Sequence, residues 1–289
     1  MQDNKIAAAV VLYHPAPSFL SNIHTYYSGI DQLIVIDNSE TQDDSIQENL
    51  EGFFPGANYR FLNRNAGIAA ALNIACDIAI QNNCGWILTM DQDSSFSDHQ
   101  FSEMRDRIAN IKTRFQRVGI ITPFHVLHPG HLPKVTEQYS VKKIAMTSGN
   151  LLNLEAYTET GLFEEKLFMD YVDYEYCLRL RKNKYKIIQD NFVHLKHSLG
   201  DFTIRNFFGQ KIEISNHNSL RRYYITRNSL FVGFKYFKSH KMFFCHMLKN
   251  VFFLDPFKII SYEKDKLAKL KSVGRGILHF VFNRFGKAV

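Results

Sequence analysis

Apolar segments and helical segments alternate along the first part of the chain, and this alternation limits the fold more than any other feature. The strand candidates are 6–12, 32–36, 59–62 and 85–90, and the helix candidates between them are 18–27, 44–50 and 66–81. Strands that alternate with helices form parallel sheets through right-handed crossovers. The sequence therefore predicts an α/β fold in which helices flank a mainly parallel central sheet.

Acidic side chains follow two of the predicted strands. Asp37 ends the segment that begins at residue 32, and Asp91-Gln92-Asp93 follows the strand at 85–90. The carboxyl ends of parallel strands meet at one edge of a sheet, where open α/β sheets bind ligands. Mg²⁺ and Mn²⁺ prefer carboxylate oxygens and leave positions open for phosphate. Asp91 and Asp93 therefore indicate a metal-diphosphate site, although acid pairs are also common in solvated turns and helix caps.

The net charge of +7 is unevenly distributed along the chain. Residues 1–202 hold 18 Lys/Arg and 24 Asp/Glu, a charge of −6, whereas residues 203–289 hold 17 and 4, a charge of +13. This change predicts one domain over 1–202 and a basic, aromatic helical region over 203–289. The interleaved aromatic and basic residues of 231–238 favour a polyanionic partner, either a membrane or a nucleic acid.

Cysteines and long apolar segments contribute little to the prediction. Cys76, Cys84, Cys177 and Cys245 form no Cys-x-x-Cys motif, so neither a zinc site nor a disulfide framework is expected, which suits a reducing cytosol. The beginning of the sequence lacks a basic region, and no apolar segment reaches the roughly 18 residues that a spanning helix requires. We therefore expect a cytoplasmic protein.

A second acidic cluster lies where a loop leads into a predicted helix that starts near Asp173. Asp170, Asp173 and Glu175 stand among aromatic residues, which move the pKa of a carboxyl group toward the range useful for a general base. Acids in a first helical turn also serve as caps only, and for Glu175 both interpretations stay open. Further along, Arg222 and Arg227 could bind phosphate, although a solvated helix face is the default for such residues.

Histidines occur in two places where a metal interpretation has to be considered. A polar loop is the favoured interpretation of His125, His128 and His131, because Pro129-Gly130 would break the helix needed to place all three on one face. His197 follows a strand-like segment and could add an imidazole ligand to the predicted metal site.

In order along the chain, eight segments resemble the inverting glycosyltransferases of family 2, and within them the rhamnosyltransferase-like enzymes of bacterial polysaccharide synthesis. The segments are VVLYHP at 10–15, VIDNS at 35–39, NAGIAAALN at 65–73, MDQDS at 90–94, TSGN at 147–150, LFMDYVDYE at 167–175, HSLG at 197–200 and RYYITRN at 222–228. The resemblance implies a GT-A fold, a nucleotide-diphosphate sugar as donor, and Mg²⁺ or Mn²⁺ as cofactor. Residues 1–100 would bind the nucleotide sugar, and residues 101–202 would carry the acceptor and catalytic part.

The resemblance also implies roles for individual residues. The metal would be held by Asp93, with Asp91 and His197. The donor pocket would comprise Tyr13, Asp37, Asn38, Arg64, Asn65, Gly67, Asn73, Asp91 and Gln92. The acceptor or its phosphates would meet Ser148, Gly149, Glu175, Arg222, Tyr223 and Arg227. Asp173 is the first choice for the general base, because it stands at the place of the second acid in the family's Glu-Asp pair. Val172 stands where that pair usually has glutamate, and this departure leaves Asp170 as the second choice.

The resemblance further implies an inverting transfer of L-rhamnose from dTDP-β-L-rhamnose to a hydroxyl of a glycan carried on undecaprenyl diphosphate. The enzyme would act at the cytoplasmic face of the membrane in surface polysaccharide or O-antigen synthesis, without a nucleic-acid partner and in an oligomeric state left open. The alternatives are a galactofuranose, glucose or galactose donor, or a nucleic-acid-binding protein that uses its basic region. A nucleotidyltransferase would need a glycine-rich loop where this chain has Tyr13-His14-Pro15.

Overall fold

The computed structural model describes residues 2–97, 99–126, 136–196, 202–207 and 210–288. The chain forms two compact units. The first comprises Met1–Glu165 and Tyr176–Ser198, and the second comprises Lys166–Glu175 and Leu199–Val289. The predicted division into a catalytic domain and a C-terminal region at residue 202 concerns function and stays a prediction.

The first unit begins with the predicted alternation of strands and helices. Its elements are β1 (Gln2–Leu12), α1 (Phe19–Tyr27), β2 (Gln32–Asp37), α2 (Asp44–Phe53), β3 (Asn58–Phe61), α3 (Ile68–Gln81) and β4 (Cys84–Asp91). Then follow β5 (Ser95–Phe96), α4 (Gln100–Asp106), α5 (Ile108–Arg114), β6 (Val118–Val126), β7 (Tyr139–Lys142), β8 (Asn150–Asn153), α6 (Leu154–Thr160), the 3₁₀ turn Glu165–Leu167, α7 (Val172–Lys182) and β9 (Lys186–Lys196). The unit boundaries fall within the 3₁₀ turn and within α7.

Among the described residues, nine strands form one sheet in the order β3-β2-β1-β4-β8-β6-β9-β5, with β7 also paired to β9. The α/β class with a central sheet flanked by helices is confirmed, and the sheet is mixed rather than purely parallel: β8 runs antiparallel to both β4 and β6. In the described residues 136–149, which lead into β8, no helix supplies the crossover that parallel pairing requires.

Strand register places the first two acids at the same edge of the sheet. In β1, Leu12 pairs with Asp37 of β2, and the preceding Val11 pairs with Asp91 of β4. The segment 6–12 is buried throughout, as expected for a strand covered on both faces. The predicted convergence of Asp37 and Asp91 at the carboxyl ends of the strands is therefore observed.

The second unit contains a hairpin followed by helices. Its elements are β10 (Phe202–Phe207), β11 (Gln210–Ser215), α8 (Ser219–Tyr236), α9 (Lys241–Lys249), a π-helical turn (Asn250–Leu254), α10 (Asp255–Tyr262) and α11 (Lys266–Val281). The expected helical region thus begins at Ser219, after an antiparallel hairpin that the sequence analysis missed. The helical path also continues through Pro256, because proline is tolerated in the first turn of α10.

Close packing in the second unit joins α8 to α11. A Cβ atom at Gly276 would lie 2.9 Å from the carbonyl oxygen of Tyr223, so the two helix backbones approach at this glycine. Further along α8, Leu230 packs with Met247 and Val251 in a small apolar core, against which Ile277 and Phe280 of α11 also pack.

No helix in the described part of the chain is both long enough and apolar enough to cross a membrane.

Candidate active site

Asp37 lies at the end of β2 and is fully buried. One carboxylate oxygen accepts a hydrogen bond from the Tyr59 hydroxyl at 2.9 Å, and the other accepts one from the Ser39 amide at 3.0 Å. Burial, together with the bond to Asp37, raises the pKa of Tyr59 and keeps its hydroxyl a donor. The orientation of Asp37 is thus fixed by the neighbouring strand β3, and Tyr59 is a member of this site that the sequence analysis missed.

Two asparagines order the loop that leads into α3. The Asn38 side chain donates to Asn65 Oδ1 at 3.1 Å and accepts a bond from the Ala66 amide at 2.7 Å. Asn65 Oδ1 also accepts from the Gly67 amide at 3.1 Å. Gly67 has a φ of 89°, a left-handed conformation that favours glycine. Asn38, Asn65 and Gly67 therefore lie together beside Asp37, whereas Arg64 is exposed in the same loop.

Gln92 links the segment after β4 to the end of β1. Its side chain accepts a hydrogen bond from the Tyr13 amide at 2.8 Å and donates to the Tyr13 carbonyl at 3.2 Å. The Gln92 carbonyl accepts a bond from the Asn22 side chain at 2.8 Å. These bonds fix the residue between the two aspartates, while the Tyr13 ring stays 44% exposed. Asp91 is half-buried and Asp93 is exposed on either side of Gln92.

The loop before β8 lies against the same strand end. The Asp91 amide donates to Ser148 Oγ at 3.1 Å, and the Gly149 amide donates to the Thr89 carbonyl at 2.7 Å. Gly149 has a φ of 82°, and a Cβ there would lie 2.9 Å from Pro123, so glycine is required. The ring of His125 lies 2.8 Å from the Ser148 carbonyl, which places His125 at this edge rather than in the polar loop expected for it.

Asn73 is buried in α3, and its amide binds other parts of the first unit. Its Oδ1 accepts bonds from the Tyr157 hydroxyl at 3.0 Å and the Phe163 amide at 2.8 Å. Its Nδ2 donates to the Phe163 carbonyl at 3.1 Å and to Glu165 at 2.8 Å. In this structure Asn73 therefore anchors residues 163–165, a role that differs from the predicted contact with the donor.

The second acidic cluster belongs to the second unit. Asp170 Oδ1 accepts a bond from Arg221 Nε at 3.1 Å, and within the described residues the buried Oδ2 has no hydrogen-bond partner. Burial raises the pKa of Asp170, and Arg221 opposes this shift. Asp173 is half-buried in the first turn of α7, where one of its oxygens accepts a bond from the Tyr174 amide at 2.8 Å.

The other residues predicted to meet the acceptor or its phosphates are buried in the second unit. Glu175 accepts bonds from Lys235 and Tyr236, each at 2.8 Å, so its carboxylate joins α7 to α8. Arg222 pairs with the buried Glu263, and Arg227 donates to the Tyr223 hydroxyl at 3.0 Å. These contacts indicate an architectural role, because the helix face that was considered for phosphate packs inward and meets protein acceptors.

The sequence pattern of Glycosyl transferase family 2 matches residues 16–151 of the chain. The chain carries a glycosyltransferase family 2 domain. The match includes Asp37, Asp91, Asp93 and Ser148, and it ends before the acidic loop that contains Asp170 and Asp173. The resemblance stated from the motifs is thereby confirmed.

Similar proteins support the same family and fold. The dTDP-rhamnosyl transferase RfbF of Shigella flexneri is 25% identical to the chain, over 93% of both. S. aureus TarS 1-349 in complex with UDP-GlcNAc superposes with a TM-score of 0.61 at 12% identity, covering 94% of this chain and 80% of that one. GalNAc-T7 with UDP, GalNAc and Mn²⁺ gives 0.56 at 12% identity, covering 71% of this chain and less than half, 44%, of that chain. The fold is that of the GT-A glycosyltransferases, and the protein is a sugar-transferring enzyme.

The family 2 domain offers hard oxygen ligands for a divalent metal. Mg²⁺ is commonly held by one or two carboxylates together with substrate phosphates. Asp91 and Asp93 stand on either side of Gln92, whose side chain is bonded to the Tyr13 backbone. Among the residues described by the structure, no group of three or more His, Cys, Asp or Glu side chains could hold a metal ion. His197, the further ligand predicted from the sequence, lies outside the described residues.

Proposed function

We propose that the protein is an inverting, metal-dependent rhamnosyltransferase that uses dTDP-β-L-rhamnose. The observation that carries the proposal is the similarity to dTDP-rhamnosyl transferase RfbF along 93% of both chains. The acids at the edge of the sheet agree with it, because nucleotide-binding α/β folds use this edge for their ligands. Galactofuranose, glucose and galactose remain the alternative sugars of the donor.

The donor would lie along the carboxyl ends of β1, β2 and β4. Asp37, Asn65 and Gly67 would contact the nucleoside, and the exposed ring of Tyr13 offers an apolar face beside them. Asp93 and Asp91 would hold Mg²⁺ or Mn²⁺. When bound, the metal would stabilise the charge that develops on the leaving diphosphate.

The general base would remove a proton from the acceptor hydroxyl, which attacks the anomeric carbon in a single displacement that inverts its configuration. Asp173 is favoured because it lies half-buried in the first turn of α7, whereas Asp170 is paired with Arg221. A positioned base typically contributes about 10² to 10⁴ in rate. Loss of the correct carboxylate should therefore lower the rate of transfer by about this factor.

The acceptor would be a glycan on undecaprenyl diphosphate at the cytoplasmic face of the membrane. The second unit supports this proposal with a helical segment from Lys241 to Tyr262, roughly 33 Å long. Large apolar side chains are exposed along it, namely Met242, Phe252, Phe253, Phe257 and Ile260. Its surroundings are strongly basic, and near anionic lipid each lysine or arginine contributes about 1 kcal/mol.

Sedimentation with vesicles tests this membrane contact. Replacing Phe252 and Phe253 together with serine should weaken binding to anionic vesicles by at least about tenfold, since burying one phenylalanine side chain contributes about 1.5–3 kcal/mol. The matched control is Phe53→Ser, which removes an exposed phenylalanine of the first unit and should leave binding unchanged. Equal sedimentation of the double variant and the control would refute the proposed contact.

A screen of nucleotide sugars tests the proposed donor. We expect dTDP-β-L-rhamnose with Mn²⁺ or Mg²⁺ to raise the melting temperature and to be hydrolysed slowly in the absence of acceptor. A larger stabilisation by a galactofuranose, glucose or galactose donor would replace rhamnose while keeping sugar transfer. Steeply salt-dependent binding to nucleic acid without turnover of any donor would instead favour the nucleic-acid-binding alternative.

A further inference from the structure

The loop before α7 has an unusual backbone conformation. Phe168, Asp170 and Tyr171 all have positive φ angles, of 66°, 55° and 67°. A residue other than glycine costs roughly 1–2 kcal/mol in this region of conformational space. Three such residues in four positions require surrounding contacts that hold the loop in place, since strained backbone persists only when its environment fixes it.

One face of α8 supplies those contacts. Asn228 is fully buried, and its Nδ2 donates to the carbonyl oxygens of Leu167 at 2.8 Å, Met169 at 2.7 Å and Asp170 at 3.1 Å. The two amide hydrogens are thus shared among three carbonyls of the strained loop. The side chain of Asn228 therefore holds three carbonyl groups of this loop at one point.

Neighbouring residues fix the orientation of the Asn228 amide and extend the contact. Arg227 Nε donates to Asn228 Oδ1 at 2.9 Å, so the amide oxygen faces the guanidinium and the NH₂ group faces the loop. Arg227 also donates to the Leu167 carbonyl at 3.2 Å. The Tyr224 ring stacks on Phe168 with centroids 5.4 Å apart. An aspartate of the same shape at position 228 would direct a second oxygen at three carbonyl oxygens and could not donate to them.

Asp173 lies between this contact and a second one. On its N-terminal side Asn228 holds residues 167–170, and on its C-terminal side Lys235 and Tyr236 bind Glu175. The Glu175 amide donates to the Tyr171 carbonyl at 3.0 Å, which closes the first turn of α7 directly on the strained loop. The direction of that first turn, and with it the Asp173 carboxylate, therefore depends on the conformation that Asn228 stabilises.

We propose that Asn228 is a positioning residue that holds the loop 167–171 and thereby aims the carboxylate of the general base. This inference rests on the proposed sugar transfer, with Asp173 or Asp170 as base, because Asn228 contacts the loop that carries Asp170 and leads directly into the helical turn with Asp173. Asn228 does not reach substrate in this role. It acts on the rate of the chemical step and leaves the binding of the donor to the first unit.

Kinetics of Asn228→Asp and Asn228→Ala test the proposal in the full chain. We expect kcat to fall about 100-fold, because displacing a catalytic group by about 1 Å lowers the rate by roughly this factor. The donor KM should change by less than about threefold. Lys269→Met is the matched control, because it removes a buried bond to Glu263 in the same unit without touching the loop. A kcat within about threefold of wild type for Asn228→Asp, or an equal loss in the control, would overturn the proposal.

Hydrogen exchange provides a readout that needs no turnover. Peptides covering 167–175 should exchange at least about tenfold faster in Asn228→Asp than in wild type, with exchange in β1 and β4 unchanged. Unchanged exchange at 167–175 would show that Asn228 does not hold the loop. If wild type transfers no sugar from any donor, the proposed function fails while the exchange result still decides the role of Asn228.

Discussion

Gln92 stands between the two candidate metal-binding aspartates, and its side chain is hydrogen-bonded to the backbone of Tyr13. Replacing Gln92 with methionine tests whether these bonds prepare the donor site. Methionine keeps the length of the side chain but can neither accept from the Tyr13 amide nor donate to the Tyr13 carbonyl. Each hydrogen bond contributes about 1 kcal/mol, so the change should remove about 1–2 kcal/mol of order at the site. If the donor binds the form in which Gln92 is hydrogen-bonded to Tyr13, donor affinity should fall about 5- to 30-fold.

Isothermal titration calorimetry with dTDP-β-L-rhamnose and Mn²⁺ measures this loss directly. Gln47→Met is the matched control, because Gln47 bonds to Glu51 at 2.9 Å on the exposed face of α2 in the same unit. We expect the control to bind the donor as wild type does, within about twofold. Wild-type affinity in Gln92→Met, with the protein folded, would refute the idea that the bond between Gln92 and Tyr13 prepares the site.

Three further predictions concern the second unit. Asp173→Asn should lower kcat by about 10² to 10⁴ with donor binding intact, and Asp170→Asn should lower kcat much less. If kinetic assays show the larger loss in Asp170→Asn, Asp170 is the base instead. Glu263→Gln leaves Arg222 and Lys269 short of a buried carboxylate and should destabilise the protein by about 3–5 kcal/mol in urea unfolding, whereas the exposed Glu48→Gln should be neutral. Burial, and then Arg221 and Arg222, lower the pKa of His217 from 6.5 to about 4. Between about pH 4 and 6.5 the unfolded chain therefore binds more protons than the folded chain, so stability falls as the pH is lowered through this range. His217→Gln should flatten the dependence of the melting temperature on pH, and an unchanged dependence would contradict the burial of His217.

The sequence predicted the part of the fold that depends on local pattern. The alternation of apolar and helical segments, together with the acids that follow the strands, was sufficient to place Asp37 and Asp91 at one edge of the sheet. This is because parallel strands joined by crossovers have their carboxyl ends at the same edge. The antiparallel direction of β8 was not predicted, because the described residues that lead into it contain no helix and the sequence has no comparable period there.

Long polar side chains were harder to predict. Arg222, Arg227 and Glu175 were candidates for ligand contact, yet each lies buried against protein groups. A sequence pattern shows that such a residue needs a partner, but tertiary packing determines which partner it has. The same limit applies to Asn228, whose three carbonyl partners lie about sixty residues earlier in the chain.

The most direct test of the proposed function is calorimetric titration of dTDP-β-L-rhamnose into wild type and Asp93→Asn, each with and without Mn²⁺. We expect wild type to bind the donor at least about tenfold more tightly with the metal, because the metal joins the carboxylates to the diphosphate. In Asp93→Asn this gain should disappear while the metal-free affinity stays the same. Equal affinity with and without metal in wild type, or an undiminished gain in Asp93→Asn, would contradict a donor held through a metal at the end of β4.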